Sequence, residues 1–581
     1  MKKIYISLFN LLNTHQKKRL LLLLLLMILG ALLETLGISL ILPVISVILD
    51  PDSIFSSHAM LYIYNFLGME SSRDFLIFLC VVLMAVYILK NIYLYFMYSV
   101  QYRFASNNRL QMSSRMFSIY LNKPYEFFLN KNAAEIVRNV NTDVANVFTL
   151  LTTLLQMLTE AVTAAGIVLV LFFSDYQMTI FVTVILLLAT LVLKYILKPI
   201  QRITGIRARE SDAESLKWLN ESMHGIKDIK VNESETFFWR NFYHSGRISA
   251  EAIRKFSVVN TIPQMFIEVV FMVGMLSYIL YLLFTGKDVS QLIPQISTFA
   301  MAAIRLLPIA NRMNRYMGNI TNLAPSLEAV EREMTGQSQI QNADRKEDKG
   351  QVPKLRDKIS IQNVAFRYYC SDTWILKHAY LDIPIGSAVG IIGPSGSGKT
   401  TLIDLLLGLL QPLEGKILVD GTDIRELGEL WLQKIGYVSQ SMYLTEDSIE
   451  KNIAFGIPET EIDHQRVKSA LKAACLDDFV EKLPQKEETK IGEFGAKISG
   501  GQKQRICIAR ALYYEPEVLI LDEATSALDY DTENEIMENI NHLKGKMTLI
   551  IIAHRLRTIE NCDYLYKVTD KKIVRSAKKE N

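Results

Sequence analysis

Cysteine is scarce in this chain, and so is any excess of charge. The five cysteines (Cys80, Cys370, Cys475, Cys507 and Cys562) are scattered, with no paired or metal-ligand spacing. That excludes a disulfide framework and a cysteine-held metal site, and it leaves reduced thiols facing the cytosol as the expectation. Lys and Arg number 63 against 60 Asp and Glu, a net charge of +3. So small an imbalance argues neither for nor against a nucleic-acid partner by itself. No internal duplication is visible, so a repeat architecture is excluded. The chain is rich instead in apolar residues, which make up 50% of its 581 positions. It is too long for one ordinary domain, and its apolar content suits a protein partly in lipid and partly in water.

Basic residues Lys2, Lys3, Lys17, Lys18 and Arg19 precede an unbroken leucine run over 20–26. A basic flank and an apolar run also begin secretory signals. Here the apolar residues continue to Leu49 with no small-residue cleavage site, so the stretch reads as a first membrane span. Six spans are expected, at about 20–49, 75–103, 146–173, 177–199, 261–285 and 292–313. Each is near the ~20 residues that cross ~30 Å of hydrocarbon as a helix. The connections after the second and fourth spans are rich in Lys and Arg (Arg103, Arg109, Arg115, Lys198, Arg202, Arg207). The opposite connections are short and nearly neutral or acidic. Basic loops mark the cytosolic side, so both termini are expected there. Within the long basic connections, apolar residues recur at helical spacing around 127–144 and 225–242. This suggests membrane helices extended into the cytosol and joined by short transverse helices, with solvated helical hairpins as the alternative.

A polar, charged stretch follows, and beyond it short β-rich runs alternate with helical patterns. The expected organisation is a transmembrane domain over 1–330, a linker over 331–354 and a second domain over 355–581. The fold class is multidomain: an all-α six-helix transmembrane domain followed by an α/β P-loop domain.

The second domain is organised around Gly393, Pro394, Ser395, Gly396, Ser397, Gly398, Lys399, Thr400 and Thr401, directly after the apolar run 388–392. Gly-x4-Gly-Lys-Thr between a buried strand and a helix is a phosphate-binding loop. Its glycines let backbone N–H groups turn inward around phosphate oxygens, and the helix N-terminus adds positive potential. Lys399 can reach the β- and γ-phosphates, and Thr400 can hold Mg²⁺. A second apolar run, 518–521, ends in Asp522-Glu523. Asp522 is placed to hold Mg²⁺ and Glu523 to polarise the attacking water, unless the pair merely caps a helix. Between the two runs, Ser499, Gly500, Gly501 and Gln502 open a helix and offer a further anion-binding surface.

The P-loop, Ile-Ser-Gly-Gly-Gln at 498–502 and Leu-Asp-Glu-Ala-Thr-Ser-Ala-Leu-Asp at 521–529 together resemble an ATP-binding cassette (ABC) transporter. Six spans followed by one cassette resemble a type IV exporter half-transporter. Ile498 stands where that family usually has Leu, a conservative departure. The resemblance implies ATP and Mg²⁺ as cofactors and gives further residues their roles. Tyr368 would stack on adenine, and Gln440 would contact Mg²⁺ and water and sense the membrane half. Glu493 would lie at the contact with the transverse helices. Ser499 and Gly501 would contact a γ-phosphate held by the other subunit. Asp529 would close the D-loop, and His554 would contact the γ-phosphate. A chain with one P-loop and one signature segment then implies a homodimer with two intact sites.

The cargo is argued from charge inside the spans. Lys90 lies in the second span and Arg305 in the sixth. At ~1.5 Å per residue both are roughly 20–24 Å from the outer ends. Arg312 continues the stripe of Arg305, while Glu34, Glu160 and Glu268 are acids that can neutralise a basic residue. Charges in spans usually face a cavity, though snorkelling to the interface is the alternative for Lys90 and Arg312. A positive cavity favours an anionic substrate such as the phosphate head group of a lipid-linked cargo, and no nucleic-acid partner is expected. The segments 303–308 and 37–43 resemble bacterial flippases of lipid-linked oligosaccharides, the PglK type. That resemblance implies an inner-membrane translocase moving an undecaprenyl-diphosphate glycan to the periplasmic leaflet for protein glycosylation. Other readings are export of lipid A core, a drug or a peptide, and an ATP-gated channel or regulatory ATPase. In the first outer loop, Met60, Leu61, Tyr64 and Leu67 fall at helical spacing, suggesting a short amphipathic helix near the outer leaflet.

Overall fold

A computed structural model describes residues 2–49, 51–174, 176–284, 289–335, 354–369, 371–492, 498–523, 530–541, 544–553 and 559–576. The chain divides into two compact units. One is Met1–Lys123 with Lys131–Asp344; the other is Pro124–Asn130 with Arg345–Asn581.

The first unit is helical. Its long helices among the described residues are α1 (Thr14–Ser39), α2 (Ser72–Leu121), α3 (Val144–Ser174), α4 (Tyr176–His224), α5 (Glu235–Phe284) and α6 (Val289–Thr335). Four described stretches are long and apolar enough to cross a bilayer: Thr14–Gly37, Ser72–Leu121, Glu135–Phe172 and Glu235–Gly274. The other two expected spans fall in α4 and α6, where part of the side chains lies outside the described residues. α2 has 50 residues. At ~1.5 Å per residue that is ~75 Å, more than twice the hydrocarbon thickness. Such a helix continues well beyond the bilayer.

Lipid as solvent explains the helix faces. In α1, Leu23, Met27 and Ala31 are buried at a spacing of four, while Leu21, Leu22, Leu25, Leu29 and Leu32 are exposed. An apolar residue on either face is what a helix at the edge of a bundle in lipid needs. Small residues let the helices approach. A Cβ added at Gly166 of α3 would lie 2.9 Å from Thr35 Cγ2 of α1. Pro199 and Pro263 sit inside α4 and α5. Neighbouring helices re-satisfy the backbone groups that such prolines free. α2 starts at Ser71, whose side chain accepts from Arg73 N, with Asp74 in the first turn. α3 is entered through a π turn, Asn139–Asp143. Its buried acid Asp143 accepts from Ser326 Oγ of α6 at 2.7 Å and pairs with Arg138 at 3.4 Å.

The second unit carries two sheets. The four-stranded sheet has order β2-β1-β4-β5, from β1 (Lys358–Phe366), β2 (Leu376–Pro384), β4 (Glu414–Val419) and β5 (Thr422–Asp423). The six-stranded sheet has order β10-β9-β3-β8-β7-β6, from β3 (Ala388–Ile392), β6 (Ile435–Val438), β7 (Val518–Asp522), β8 (Thr548–Ile552), β9 (Tyr564–Thr569) and β10 (Lys572–Ser576). Strands β6, β7, β8, β3 and β9 run parallel, and β10 closes the edge antiparallel to β9. β7 and β8 are buried at every residue. That is why they read in sequence as unbroken apolar runs: a parallel sheet is covered on both faces. Two hydrophobic clusters supply the cover. One is built around Leu402, Leu405, Leu406 and Trp431, the other around Ile506, Ile508 and Ile453.

Candidate functional site

The parallel sheet brings the nucleotide motifs to one edge. The P-loop follows β3, Gln440 follows β6, and Asp522 and Glu523 close β7. Because these strands are parallel, their carboxyl ends emerge on the same side, where open α/β sheets bind ligands. His554 follows β8 but lies outside the described residues, as do Glu493 and Asp529.

The loop between β3 and α7 (Lys399–Leu406) is shaped by glycine. Gly396 and Gly398 have φ of +75° and +99°, and a Cβ at Gly393 would lie 2.6 Å from Val568 O. Only glycine fits these positions without strain. Lys399 is 7% exposed, and its Nζ donates to Gly393 O at 2.9 Å and Pro394 O at 3.1 Å. Ser397 Oγ is buried with no hydrogen-bond partner among the described residues. A buried hydroxyl left unpaired costs free energy that a phosphate oxygen would recover. Ser395 and Thr400 are exposed, and Tyr368 OH meets Thr401 Oγ1 at 3.0 Å. The Tyr368 ring is set edge-on against Phe366, with centroids 5.2 Å apart.

Beside the loop lies a group of carboxylates. Asp522 is 2% exposed; burial, then Glu523 and Asp404, push its carboxyl up to about 6, and Lys399 opposes them. Burial alone pushes Asp404, on α7, up to about 6. Three acids around one ammonium leave the pocket in want of a cation. Glu523 takes a left-handed backbone, φ +50°, and its N–H donates to Ile552 O at 3.1 Å. For a residue with a Cβ that conformation is strained, a feature common at functional sites. Gln440 Nε2 donates to Glu523 Oε2 at 2.7 Å, holding the carboxylate at the sheet edge.

Ser499 caps α8 (Gly500–Tyr513) through a complete capping box. Gln502 N donates to Ser499 Oγ at 3.3 Å, and Ser499 N to Gln502 Oε1 at 2.9 Å. Ser499 and Gly500 are exposed, so this helix start is open to a ligand or a partner.

In the helical unit, Lys90 is 5% exposed, with its Nζ 4.6 Å from the Tyr87 ring centroid. Arg312 is held by Glu160 on both prongs, at 2.5 and 2.9 Å. The Arg305 side chain lies outside the described residues. The outer-loop helix forms over His58–Phe66. Tyr64 and Met60, expected on a face toward the outer leaflet, instead pack with Phe75 and Val44, while Leu67 is 40% exposed and lies past the helix end.

Comparison with known proteins agrees with this geometry. Residues 376–526 match the ABC transporter family, and residues 15–304 match the ABC transporter transmembrane region. The chain is 32% identical over 467 residues to an ATP-dependent lipid A-core flippase of Cupriavidus metallidurans, covering 78% of this chain and 76% of that one. The chain belongs to the ABC transporter family. It is also 42% identical over 228 residues to the leukotoxin export ATP-binding protein LtxB of Aggregatibacter actinomycetemcomitans, over 39% of this chain and 32% of that one. Among solved structures, a bacterial Atm1-family ABC exporter with ATP bound superposes with a TM-score of 0.75 at 21% identity, over 98% of this chain and 96% of that one. The transporter therefore has a helical transmembrane domain followed by an ATP-binding cassette with mixed sheets, and it is an ATPase that drives transport.

The residues present fit the cation that ATP brings. Thr400, Gln440 and Asp522 offer hard oxygen donors beside surplus negative charge, the donor set that suits Mg²⁺. Sequence reasoning missed Asp404 and Gln504. Asp404 is a lone acid inside Leu402-Ile403-Asp404-Leu405-Leu406, and that isolation was its one visible signal. Gln504 is 2% exposed, and its Nε2 reaches Glu523 O at 3.5 Å. Nothing in its local pattern sets it apart from an ordinary helix glutamine.

Proposed function

We propose that this transporter is a homodimeric flippase in the inner membrane, with its cassettes in the cytoplasm and an amphiphile with an anionic head group as cargo. The proposed direction is from the cytoplasmic to the periplasmic leaflet. The observation that carries the charge preference is Lys90. An ammonium 5% exposed within an apolar helix costs roughly 2.5–3.5 kcal/mol on insertion scales, and such charges usually face the bundle interior or a water-filled cavity. With Arg305 and Arg312 on α6 it gives each subunit a basic set, which a homodimer doubles. A lipid-linked oligosaccharide bearing an undecaprenyl diphosphate has the matching chemistry, a compact polyanion on an apolar tail.

On the cassette, Glu523 acts as general base, oriented by its backbone and by Gln440. Lys399 and the P-loop N–H groups hold the triphosphate, and Tyr368 stacks on adenine. Asp529 and His554 complete the site, and Ser499, Gly500, Gly501 and Gln502 close it from the second subunit. Mg²⁺, when bound, neutralises charge developing on the β- and γ-phosphates.

Lipid A core is the second reading, favoured by relatives that carry the lipid A-core flippase name over most of their length. Both cargoes are anionic amphiphiles, so reconstituted protein has to be offered each in turn. ATP-driven transfer of the polyprenyl-diphosphate glycan and none of lipid A core supports the first reading; the reverse supports the second. Transfer that survives Arg305→Ala and Lys90→Ala, yet is abolished by Glu523→Gln, removes the basic set from the account.

A further inference from the structure

The Glu160–Arg312 pair joins α3 to α6 and is half-buried. Asn146 Nδ2 bonds Ser326 Oγ at 3.0 Å, and Arg312 bonds Glu160, which fixes one antiparallel register between α3 and α6. From Glu160 to the outer end of α3 at Ser174 is ~21 Å of helix, within a hydrocarbon core ~30 Å thick. Glu34 of α1, Tyr98 of α2 and Tyr316 of α6 lie within electrostatic reach of the pair. One guanidinium is therefore bonded by one carboxylate, Glu160, with a second, Glu34, within electrostatic reach. Its side chain is 36% exposed and that of Glu160 15%, so the arginine is the more accessible partner. Both prongs used by Glu160, Nε and Nη2, are the donors with which arginine grips a phosphate. Arg312 is thus an anion receptor that already holds an anion.

We propose that Glu160 is a specificity-determining residue: it occupies Arg312 as an internal anion and yields it only to a cargo whose head group binds the guanidinium more strongly. Displacing Glu160 leaves a carboxylate without its partner in a low-dielectric bundle. That cost sets a threshold. A polydentate diphosphate passes it readily, a monophosphate barely and a neutral head group not at all. The inference rests on the anionic-cargo reading above and adds a competitor to it.

The test uses full-length transporter in nanodiscs and lipid-stimulated ATPase as the readout. The probes are undecaprenyl diphosphate, undecaprenyl monophosphate and undecaprenol. Wild type is expected to respond to the diphosphate, weakly to the monophosphate and not to the alcohol. Glu160→Gln is expected to lower the half-saturating diphosphate concentration roughly tenfold, the weight of a charged hydrogen bond, and to admit the monophosphate. Arg312→Gln is expected to raise it, and the double variant to behave as Arg312→Gln alone. If Glu160→Gln leaves the dose response of a diphosphate-responsive transporter unchanged, the competitor role is wrong and the anionic-cargo reading stands. A wild type indifferent to both phosphorylated lipids overturns the undecaprenyl-diphosphate cargo and the competitor role together. Should Glu160→Gln fail to fold, Glu160→Asp keeps the charge with a shorter reach. An intermediate shift supports the proposal, and a wild-type dose response overturns it.

Discussion

At the scale of single residues, the cassette carries an electrostatic load that the ATP site does not require of every member. Asp404 is 9% exposed, and burial raises its carboxyl from 3.8 to about 6. Between those values the folded cassette keeps a proton that the unfolded chain has released. Stability therefore falls as pH rises through that window and stays lower above it. Asp404→Asn removes the load. Its melting temperature is expected to exceed wild type at pH 7.5, by the equivalent of about 2 kcal/mol, with the gain shrinking as pH drops to 5. An equal or lower melting temperature at pH 7.5 contradicts this. Glu523→Gln keeps the shape of the site but loses the base. ATP should still bind, while turnover drops by ~10²-fold or more in a phosphate-release assay. Retained turnover would move the base elsewhere. Residues of this kind differ in how visible they are from sequence. The P-loop shows because phosphate binding dictates glycine spacing. Asp404 and Gln504 are hidden because their roles come from neighbours distant in the chain.

At the scale of elements, close approach between membrane helices decides the packing. Gly166→Val places a branched side chain where Thr35 already stands. It is expected to destabilise the α1–α3 contact by roughly 1–3 kcal/mol, with partial rescue by Thr35→Ala. Thermal denaturation of the single and double variants checks this, and strict additivity would show that the two positions do not meet. Apolar runs made the long helices legible, since ~20 such residues have few other uses. The helix His58–Phe66 was legible only in part. Helical spacing selected Met60 and Tyr64 as one apolar face, but that face packs inward rather than toward lipid, and it also selected Leu67. Gly68 turns the chain at φ +61°, so the periodicity ends before Leu67 can use it. Tyr62 and Phe66 stack on the opposite, exposed face. Hydrophobicity does not separate inside from outside where one neighbour is lipid. The Arg312–Glu160 pair was half visible: both charges show in the sequence, but which acid meets which base depends on helix register.

At the scale of the molecule, one P-loop and one exposed signature helix in each chain make the ATP site a shared construction in the proposed homodimer. Lys399→Ala and Ser499→Arg should each inactivate homodimers. Co-expressed, they should form mixed dimers with one intact composite site and recover part of the ATPase activity. No recovery in purified mixed dimers would argue for a cassette acting alone. The cassette's nucleotide motifs were legible because nucleotide binding constrains sequence tightly. Cargo recognition is written in a few charges on long helices, where many patterns serve. The decisive measurement is therefore transport itself: reconstituted transporter, a fluorescent undecaprenyl-diphosphate glycan in the cassette-side leaflet, and quenching of the opposite leaflet. The expected result is ATP-dependent movement by wild type and none by Glu523→Gln. Equal movement with and without ATP, or none by an ATPase-active wild type, would contradict the account.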